Sequence, residues 1–351
     1  MTTTINILPA FNGDCILIDT YDSENNQYTI LIDGGTRKTF DELKKKLKDY
    51  KKIDLVILTH IDGDHINGLL RFFKSGFAKK IVFDKIIINA ANLIPFSVEE
   101  EMGYAAAYRF EEEIVKNYKS IKIINDITNQ NNKALGLPIG IDITFLSPNQ
   151  VDLDTLKANW EPICLKEENG DCEMSSTIKY CDDYDKPLHI LSAQNDIIQS
   201  KADIINASSL AFILKTNNFN GLFLGDAHHK VVSESICEYT QKLGLSLPLK
   251  FDLIKLSHHG SIKNTSNQLL NLIQSENFVI STNGGTTGKH PSRTTIAKIV
   301  CSPNKTPKII NLCTNYPLDK LQNKTGILLN PNDETTYNFN FLNKNLFSFH
   351  G

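Results

Sequence analysis

Residues 53–70 read Ile-Asp-Leu-Val-Ile-Leu-Thr-His-Ile-Asp-Gly-Asp-His-Ile-Asn-Gly-Leu-Leu, and this stretch decides the fold. Its first seven residues, Ile53 to Thr59, are almost wholly apolar, which fits a strand covered on both faces, as in a parallel sheet lying between two other layers. The run stops at His60, and His60, Asp62, Asp64 and His65 then follow within six residues. A strand-to-helix turn aims alternate residues at one point, and Gly63 lets the backbone bend tightly enough for both sides to converge. Two imidazoles and two carboxylates at the mouth of an apolar strand are costly unless a cation compensates them. The plainer alternative is a solvated turn in which Asp64 caps the next helix, and the density of donors argues against it.

Working outward, INILPA, DCILIDTY from Asp14 and YTILIDGG from Tyr28 are β-branched runs separated by Gly- or Asn-containing turns, so strands precede the central one. Thr39 with Glu42 three residues later has the form of a capping box ahead of Leu43 and Leu47 and predicts a helix. Further on we expect a helix from about His65 to Phe73, strands around Ile81–Asn89, a long helix from Ser97 capped through Glu100, and a strand from Ile141 to Asn149. From Gln150 to Ile205 the chain is polar, acidic and aperiodic, which predicts an insertion (150–205) laid over the active site as a lid or binding segment. Strand–helix alternation then resumes through SLAFILKT, GLFLGDA, a helix near 231–243, FDLIKLS, a helix near 266–273, NFVIST and a helix near 292–300, ending in short strands KIINLC, GILLN and TYNFNF. Two βα-rich halves around one interior point to an αββα sandwich formed by residues 1–351 as a single domain, rather than to a doubly wound sheet.

Composition limits the function classes. A net charge of -3 carries no global electrostatic footprint of a non-specific DNA binder, so any nucleic-acid contact is expected to be local. Only Arg37, Arg71, Arg109 and Arg293 are arginine, and lysine and asparagine runs carry little information in so biased a chain. The seven cysteines, Cys15, Cys164, Cys172, Cys181, Cys237, Cys301 and Cys313, are odd in number and dispersed, which fits free thiols in a reducing cytosol. The spacing of Cys164, Cys172 and Cys181 is unlike the short Cys-x-x-Cys of structural zinc, and Trp160 is read as an anchor for the insertion. No apolar run approaches the roughly 20 residues that span a bilayer, and the N-terminus lacks a secretory pattern, so a cytoplasmic protein without a membrane partner is expected.

The run from His60 to His65 resembles the His-x-His-x-Asp-His signature of the metallo-β-lactamase superfamily, with Asp62 in place of the second His, a variant similar to the hydrolase domain of ComEC-type DNA-uptake proteins. Gly13-Asp14-Cys15, Leu31-Ile32-Asp33-Gly34-Gly35, Asn206-Ala207-Ser208-Ser209-Leu210, Leu222-Phe223-Leu224-Gly225-Asp226, Ser257-His258-His259-Gly260-Ser261 and Gly288-Lys289-His290-Pro291-Ser292 resemble further family segments in the same order. The resemblance implies two divalent cations, Zn2+ or Mn2+, held by His60, Asp62, Asp64, His65, a bridging Asp226, and His258 in preference to His259. It implies a metal-activated water attacking a phosphodiester, with Asp64 orienting the nucleophile and His259 or His290 placing or protonating the leaving group. Asp33, Asn206, Ser208 and Ser261 are expected behind the ligands or beside the substrate.

One departure bears on the metal. Where the superfamily supplies a third His to the first cation, this chain has Asn206 to Ser209, so that site is richer in oxygen, which moves preference from zinc alone toward manganese or a mixed pair. The paired His228 and His229 are read as structural. A nucleic acid or nucleotide is the expected substrate. A small ester or thioester is the alternative within hydrolases, and a metal-bound sensor with a protein partner in an operon-encoded bacterial defence system is the alternative outside them.

Overall fold

In the central strand Leu55, Val56, Ile57 and Leu58 are all fully buried, so successive side chains of one strand enter two different cores. The computed structural model describes residues 1–89, 106–131, 135–159, 183–285, 290–304 and 309–351. Its strands are β1 (Thr2–Ile7), β2 (Ile16–Tyr21), β3 (Gln27–Ile32), β4 (Lys52–Leu58), β5 (Val82–Ile88), β6 (Lys122–Ile124), β7 (Ile141–Ser147), β8 (Ala211–Thr216), β9 (Phe219–Phe223), β10 (Leu249–Phe251), β11 (Leu253–Lys255), β12 (Ile273–Ser275), β13 (Asn277–Ile280), β14 (Ile310–Thr314), β15 (Phe339–Asn343) and β16 (Leu346–His350). The helices are α1 (Phe40–Lys46), α2 (Gly63–Phe73), α3 (Ala106–Asn117), α4 (Gln150–Ala158), α5 (Leu188–Ser192), α6 (Ile204–Ala207), α7 (His229–Leu243), α8 (Asn267–Leu270), α9 (Arg293–Val300), α10 (Leu318–Thr325) and α11 (Asp333–Tyr337).

Two seven-stranded sheets result, ordered β16-β1-β2-β3-β4-β5-β6 and β15-β14-β13-β11-β9-β8-β7. Each opens with antiparallel strands and continues as a parallel run, from β3 to β6 in the first and from β9 to β15 in the second. Three apolar clusters lie between the four layers. Leu31, Val56 and Leu58 meet Leu69, Phe72, Phe73 and Phe110 of the first helical layer. Ile30, Ile32, Leu55 and Ile57 meet Phe145, Phe212, Phe223 and Val279 of the opposite sheet. Leu222, Ile254 and Ile280 meet Val232, Ile236, Ile296 and Ile299 of the second helical layer. Burying each aliphatic side chain of β4 contributes about 1.5–3 kcal/mol, so the strand is anchored in both of its cores at once. This is the αββα sandwich expected from the sequence.

The parallel strands of both sheets end at one edge of the sandwich, where the loops after β3, β4, β9, β11 and β13 meet. Helix α2 is docked there by backbone contact. Gly34 N donates to His65 O (2.8 Å) and Gly68 N to Gly35 O (2.9 Å). A Cβ on Gly68 would lie 1.8 Å from Gly34 O and one on Gly13 1.7 Å from Asp64 O, so glycine permits the approach that sets the first turn of α2.

Several local readings change. Thr39 has helical backbone angles and makes no capping hydrogen bond, because a 3-10 turn over Arg37–Thr39 leads directly into α1. Within the expected insertion, residues 150–158 are a regular helix capped by Asn149, whose side chain accepts from Asp152 N at 2.8 Å, with Leu153 and Leu156 buried. The short helices α5 and α6 lie further along the same segment, and α5 packs against α9. Gly326 to Asn330, expected as a strand, forms no strand, and the tail pairs instead through β15 and β16. Ser97, Glu100, Trp160, Cys164, Cys172, Cys181, Gly288 and Lys289 lie outside the described residues. Among the described residues no helix is long and apolar enough to cross a membrane.

Candidate metal centre

At the end of β3 stands Asp33, fully buried and at positive φ (55°). It accepts hydrogen bonds from Thr59 N and Thr59 Oγ1, both at 2.7 Å, and its Oδ2 lies 2.8 Å from His65 Nδ1. A carboxylate there keeps the proton on Nδ1 and leaves Nε2 as a lone pair directed away from Asp33. His65 Nε2 lies 3.6 Å from Asp226 Oδ1 and 4.0 Å from Asp64 Oδ1. His60 is fixed through Nδ1 by Thr59 Oγ1 (3.0 Å) and Ser209 Oγ (3.3 Å), while its Nε2 lies 3.6 Å from Asp62 Oδ2 and 3.8 Å from Asp226 Oδ2.

The second half contributes Asp226 and His259. Gly225, at φ 48°, turns the chain after β9, and Asp226 N donates to Ser209 Oγ at 3.0 Å. After β11 both His258 (φ 47°) and His259 (φ 55°) take left-handed backbone angles, an arrangement costing on the order of 1 kcal/mol or more per residue. The turn sends His259 inward. Its Nδ1 donates to Ser281 O (2.8 Å), and its Nε2 lies 3.5 Å from Asp64 Oδ2 and 3.7 Å from Asp226 Oδ2.

Of the sequence-derived candidates, the structure brings His60, His65 and Asp226 into one compact donor group and Asp64, His65 and His259 into another. Asp62 Oδ2 lies 3.6 Å from His60 Nε2, and its side chain is about one-third exposed. His258, the preferred sequence candidate, sits at the rim, 3.8 Å from Asp226 Oδ2, with Nδ1 against Asn264 Oδ1 (3.2 Å) and its ring 5.1 Å from that of His290. Both Nε2 atoms lie near Asp226 Oδ2, at 3.8 Å for His258 and 3.7 Å for His259, but the double left-handed turn buries His259, which also reaches Asp64, and leaves His258 partly exposed.

Ser208, expected near the first cation, donates to Ile205 O at 2.7 Å, and it is Ser209 that faces His60. Asn206 is buried within α6, and Ser261 closes the turn after His259. His228 and His229 contact Asp203 (3.2 Å) and Ile197 O (3.0 Å).

Sequence reasoning missed the floor of the site. Asp14, quoted only as part of a strand motif, forms a buried ion pair with Lys255, and its Oδ1 lies 3.6 Å from His259 Nδ1. Burial pushes the Asp14 carboxyl upward, yet Lys255 and His259 together hold it down at about 2. Asn12 donates to Asp64 Oδ2 at 3.0 Å, and Asn264 donates to the carbonyls of Asp226 and Ala227 (2.9 and 3.2 Å). An apolar strand with a lysine at its penultimate core position was the one signal available, since a lysine so placed needs a partner.

Electrostatically the centre is a set of imidazoles facing carboxylates. Burial disfavours a charged His259, but Asp226, Asp14 and Asp64 outweigh burial and raise it to about 10. For His65 too, burial is overcome by Asp226 and Asp33, which hold it well above the usual range. Asp64 and Asp226 are held well below the carboxylate range against burial, Asp64 through His259 and His65, Asp226 through His259, His65 and His258. His290 differs, since burial and then His258 and His259 drive it well below its ordinary value.

His60 Nε2, His65 Nε2, His259 Nε2 and Asp226 Oδ1 are all buried without a hydrogen-bond partner among the described residues. Orphaned groups of this kind carry a penalty of about 1–3 kcal/mol each unless something occupies the space between them. Three nitrogen donors and adjacent carboxylate oxygens directed into one volume fit divalent cations in both number and chemistry.

The fold is an αββα sandwich of the metallo-β-lactamase type, with a candidate metal-ligand cluster at the strand ends. The metallo-beta-lactamase superfamily model matches residues 8–143. A UPF0173 metal-dependent hydrolase of Thermodesulfovibrio yellowstonii is 32% identical over 103 residues, which are 28% of this chain and 37% of that protein, so the match spans little over a third of the relative. Among solved structures, the metallo-beta-lactamase fold protein YhfI from Bacillus subtilis is similar over 99% of each chain (13% identity, TM-score 0.45). A diphosphatase of the PhnP family is similar over 79% of this chain and 87% of that one (12% identity, TM-score 0.37).

Proposed function

We propose that the chain is a metal-dependent hydrolase of phosphodiesters holding two divalent cations, one at His60, Asp62 and Asp226 and the other at Asp64, His65, His259 and Asp226. The observation that supports it is the convergence of three buried, unpartnered imidazole nitrogens on the Asp226 carboxylate. A pair of such cations would supply a water of lowered pKa as nucleophile and neutralise negative charge on the reacting group.

The protein's own groups do the positioning. Asp33 fixes the tautomer of His65, Ser209 and Thr59 fix His60, and the Ser281 carbonyl fixes His259. Asn12 holds Asp64 Oδ2, leaving Oδ1 toward His65. With His259 inside the donor cluster, His258 and His290 are left beside each other at the rim, and His290 is assigned to the substrate. Held neutral by burial and by the neighbouring histidines, it suits a hydrogen bond to a substrate oxygen better than the donation of a full proton to the leaving group. The preference for a phosphodiester over an acyl substrate draws on the Asp62 variant of the ligand run, similar to that of DNA-uptake hydrolases.

The test is metal analysis of protein purified without added metal, followed by hydrolysis of a nitrophenyl phosphodiester and of a nitrophenyl acyl ester with zinc and with manganese. Two metal equivalents and turnover of the phosphodiester are expected, with Asp226→Asn losing at least one equivalent and nearly all turnover. Faster turnover of the acyl ester, or full metal retention by Asp226→Asn, would overturn the assignment.

A further inference from the structure

Among the described residues, the most deeply buried ion pair made by a lysine or an arginine joins Lys255 to Asp14, with side chains 1% and 2% exposed. A pair buried this far is weak evidence for stability. Desolvating both ions can cost more than their attraction returns, and apolar residues of similar volume often hold a fold equally well. What the two charges touch is the better guide to their role. Asp14 comes from the loop after β1 and Lys255 ends β11, so the pair joins the two halves of the sandwich.

Asp14 Oδ2 meets the ammonium, while Oδ1, buried without a hydrogen-bond partner among the described residues, lies 3.6 Å from His259 Nδ1. That nitrogen donates to Ser281 O (2.8 Å), and Ser281 Oγ donates to Gly13 O (2.9 Å), so the chain beside Asp14 is tied to the same ring. A negative oxygen on this side keeps the ring proton on Nδ1 and leaves the Nε2 lone pair for the donor cluster, as Asp33 does for His65. On its other side Lys255 Nζ donates to Gly225 O (3.3 Å), the carbonyl that also accepts from His258 N (3.0 Å) and immediately precedes Asp226. One ammonium thus touches the partner of His259 and the turn that carries Asp226, two donors that face each other at 3.7 Å.

We infer that Asp14 and Lys255 are positioning residues for the metal centre: Asp14 aims His259 Nε2 at Asp64 and Asp226, and Lys255 ties Asp14 to the Gly225 turn so that both donors keep one spacing. Asp14 also falls within reach of two groups of candidate ligand atoms, with Asp33 and His65 and with Asp226 and His259. Its bond to the ammonium keeps it out of the coordination sphere. The inference rests on the metal-centre reading for the ion that His259 and Asp226 hold.

The test uses the full chain as Asp14→Asn and as the apolar double variant Asp14→Leu/Lys255→Met, each made with and without His259→Ala. Zinc affinity is read by competition with a chromophoric chelator and stability by urea unfolding. Asp14→Asn keeps an oxygen for Lys255 but turns an amide N–H toward His259 Nδ1, whereas the double variant removes both charges and strands neither. The double variant is expected to unfold at a urea midpoint no lower than that of wild type. Both variants should nevertheless lose about 10- to 100-fold in affinity for at least one zinc equivalent. In the His259→Ala background the same changes should cost less than about twofold, because the residue through which they act is gone. Should the double variant fail to fold, Asp14→Asn and its own cycle with His259→Ala decide. Unchanged zinc affinity would make the pair purely structural and overturn the inference. An equal loss in the absence of His259 would make Asp14 a ligand itself and overturn it as well. A wild-type protein that binds no zinc or manganese would overturn the metal centre, and the inference with it.

Discussion

Replacing Asp33 by asparagine tests whether the protein sets the metal-binding state of His65 from behind. The side chain is fully buried and accepts from Thr59 N at Oδ1 (2.7 Å), while Oδ2 faces Thr59 Oγ1 (2.7 Å) and His65 Nδ1 (2.8 Å). The backbone amide of Thr59 can only donate, so the asparagine must turn its carbonyl oxygen to that position and its amide nitrogen to the other. There the amide donates toward His65 Nδ1, which requires a lone pair on Nδ1 and moves the ring proton to Nε2, the atom that faces Asp226 at 3.6 Å. A protonated Nε2 cannot ligate. Loss of such a supporting partner costs about 10- to 100-fold in metal affinity, or about 1.4–2.7 kcal/mol. Stability should fall by only about 1–3 kcal/mol, since two of the three bonds survive as neutral ones. Competition with a chromophoric chelator measures the affinity, urea unfolding the stability, and 15N shifts of the imidazoles the tautomer. Wild-type affinity for both metal equivalents in Asp33→Asn, with His65 still protonated on Nδ1, would refute the reasoning.

Three further expectations follow from the described contacts. Gly68→Ala places a methyl 1.8 Å from Gly34 O, a clash between backbones that no rotamer relieves, and should cost about 3 kcal/mol or more in urea unfolding; a loss below about 1 kcal/mol would mean that α2 is not held by this contact. Lys255→Met strips the buried Asp14 of its ion-pair partner and should cost about 3–5 kcal/mol at neutral pH. In the wild type Asp14 is held near 2 against about 3.9 unfolded, so its contribution is present above pH 4 and lost as pH falls toward 2; the deficit of the variant should shrink over that window, and an equal deficit at pH 7 and pH 3 would contradict the pairing. Burial raises Glu111 to about 8, above its unfolded value of about 4.3, so the stability it contributes is present below pH 4 and is lost as pH rises through 8. Glu111→Gln should flatten the stability–pH curve between those limits, and parallel curves for the two proteins would show that Glu111 titrates normally.

What the sequence makes legible follows from how local the cause is. The β4 strand and the turn after it could be read because hydrophobic run length, a glycine and the donor spacing are all contained within residues 53–68. The deeper burial of His259 than of His258 could not, because it depends on both residues adopting left-handed angles that only the surrounding loops impose. Ser209 in place of Ser208 is a similar case, since one residue of rotation at the end of α6 decides which hydroxyl reaches His60. Helix α4 was hidden by polar composition, although Asn149 with Asp152 three residues on, and Leu153 with Leu156, were cues to its cap and its buried face. Thr39 shows the opposite error, a capping pattern whose side chain was superseded by a preceding 3-10 turn. The Lys255–Asp14 pair joins residues far apart in the chain, and no periodicity reports such a partnership.

The two halves of the sandwich hold their donors by different means, and the difference bears on how the centre is kept in register. The first half places four candidates on one short turn, where the hydrogen bonds of Asp33 and the close approach of Gly13, Gly34 and Gly68 locate α2. The second half brings Asp226 and His259 from separate strands and must fix two loops against each other. It does so with main-chain groups: His258 N donates to Gly225 O (3.0 Å), Ser261 N to His258 O (2.9 Å), and Asn264 reaches the carbonyls of Asp226 and Ala227. Those bonds over-determine the turn, which is the condition under which two consecutive non-glycine residues persist at positive φ. The strain is thus held by the loops, and His259 Nε2 faces Asp64 and Asp226. Ser209 ties the halves together, accepting from Asp226 N on one side and meeting His60 Nδ1 on the other. A centre assembled in this way is set by the sandwich itself, with the spacing of the donors fixed by contacts that lie behind them.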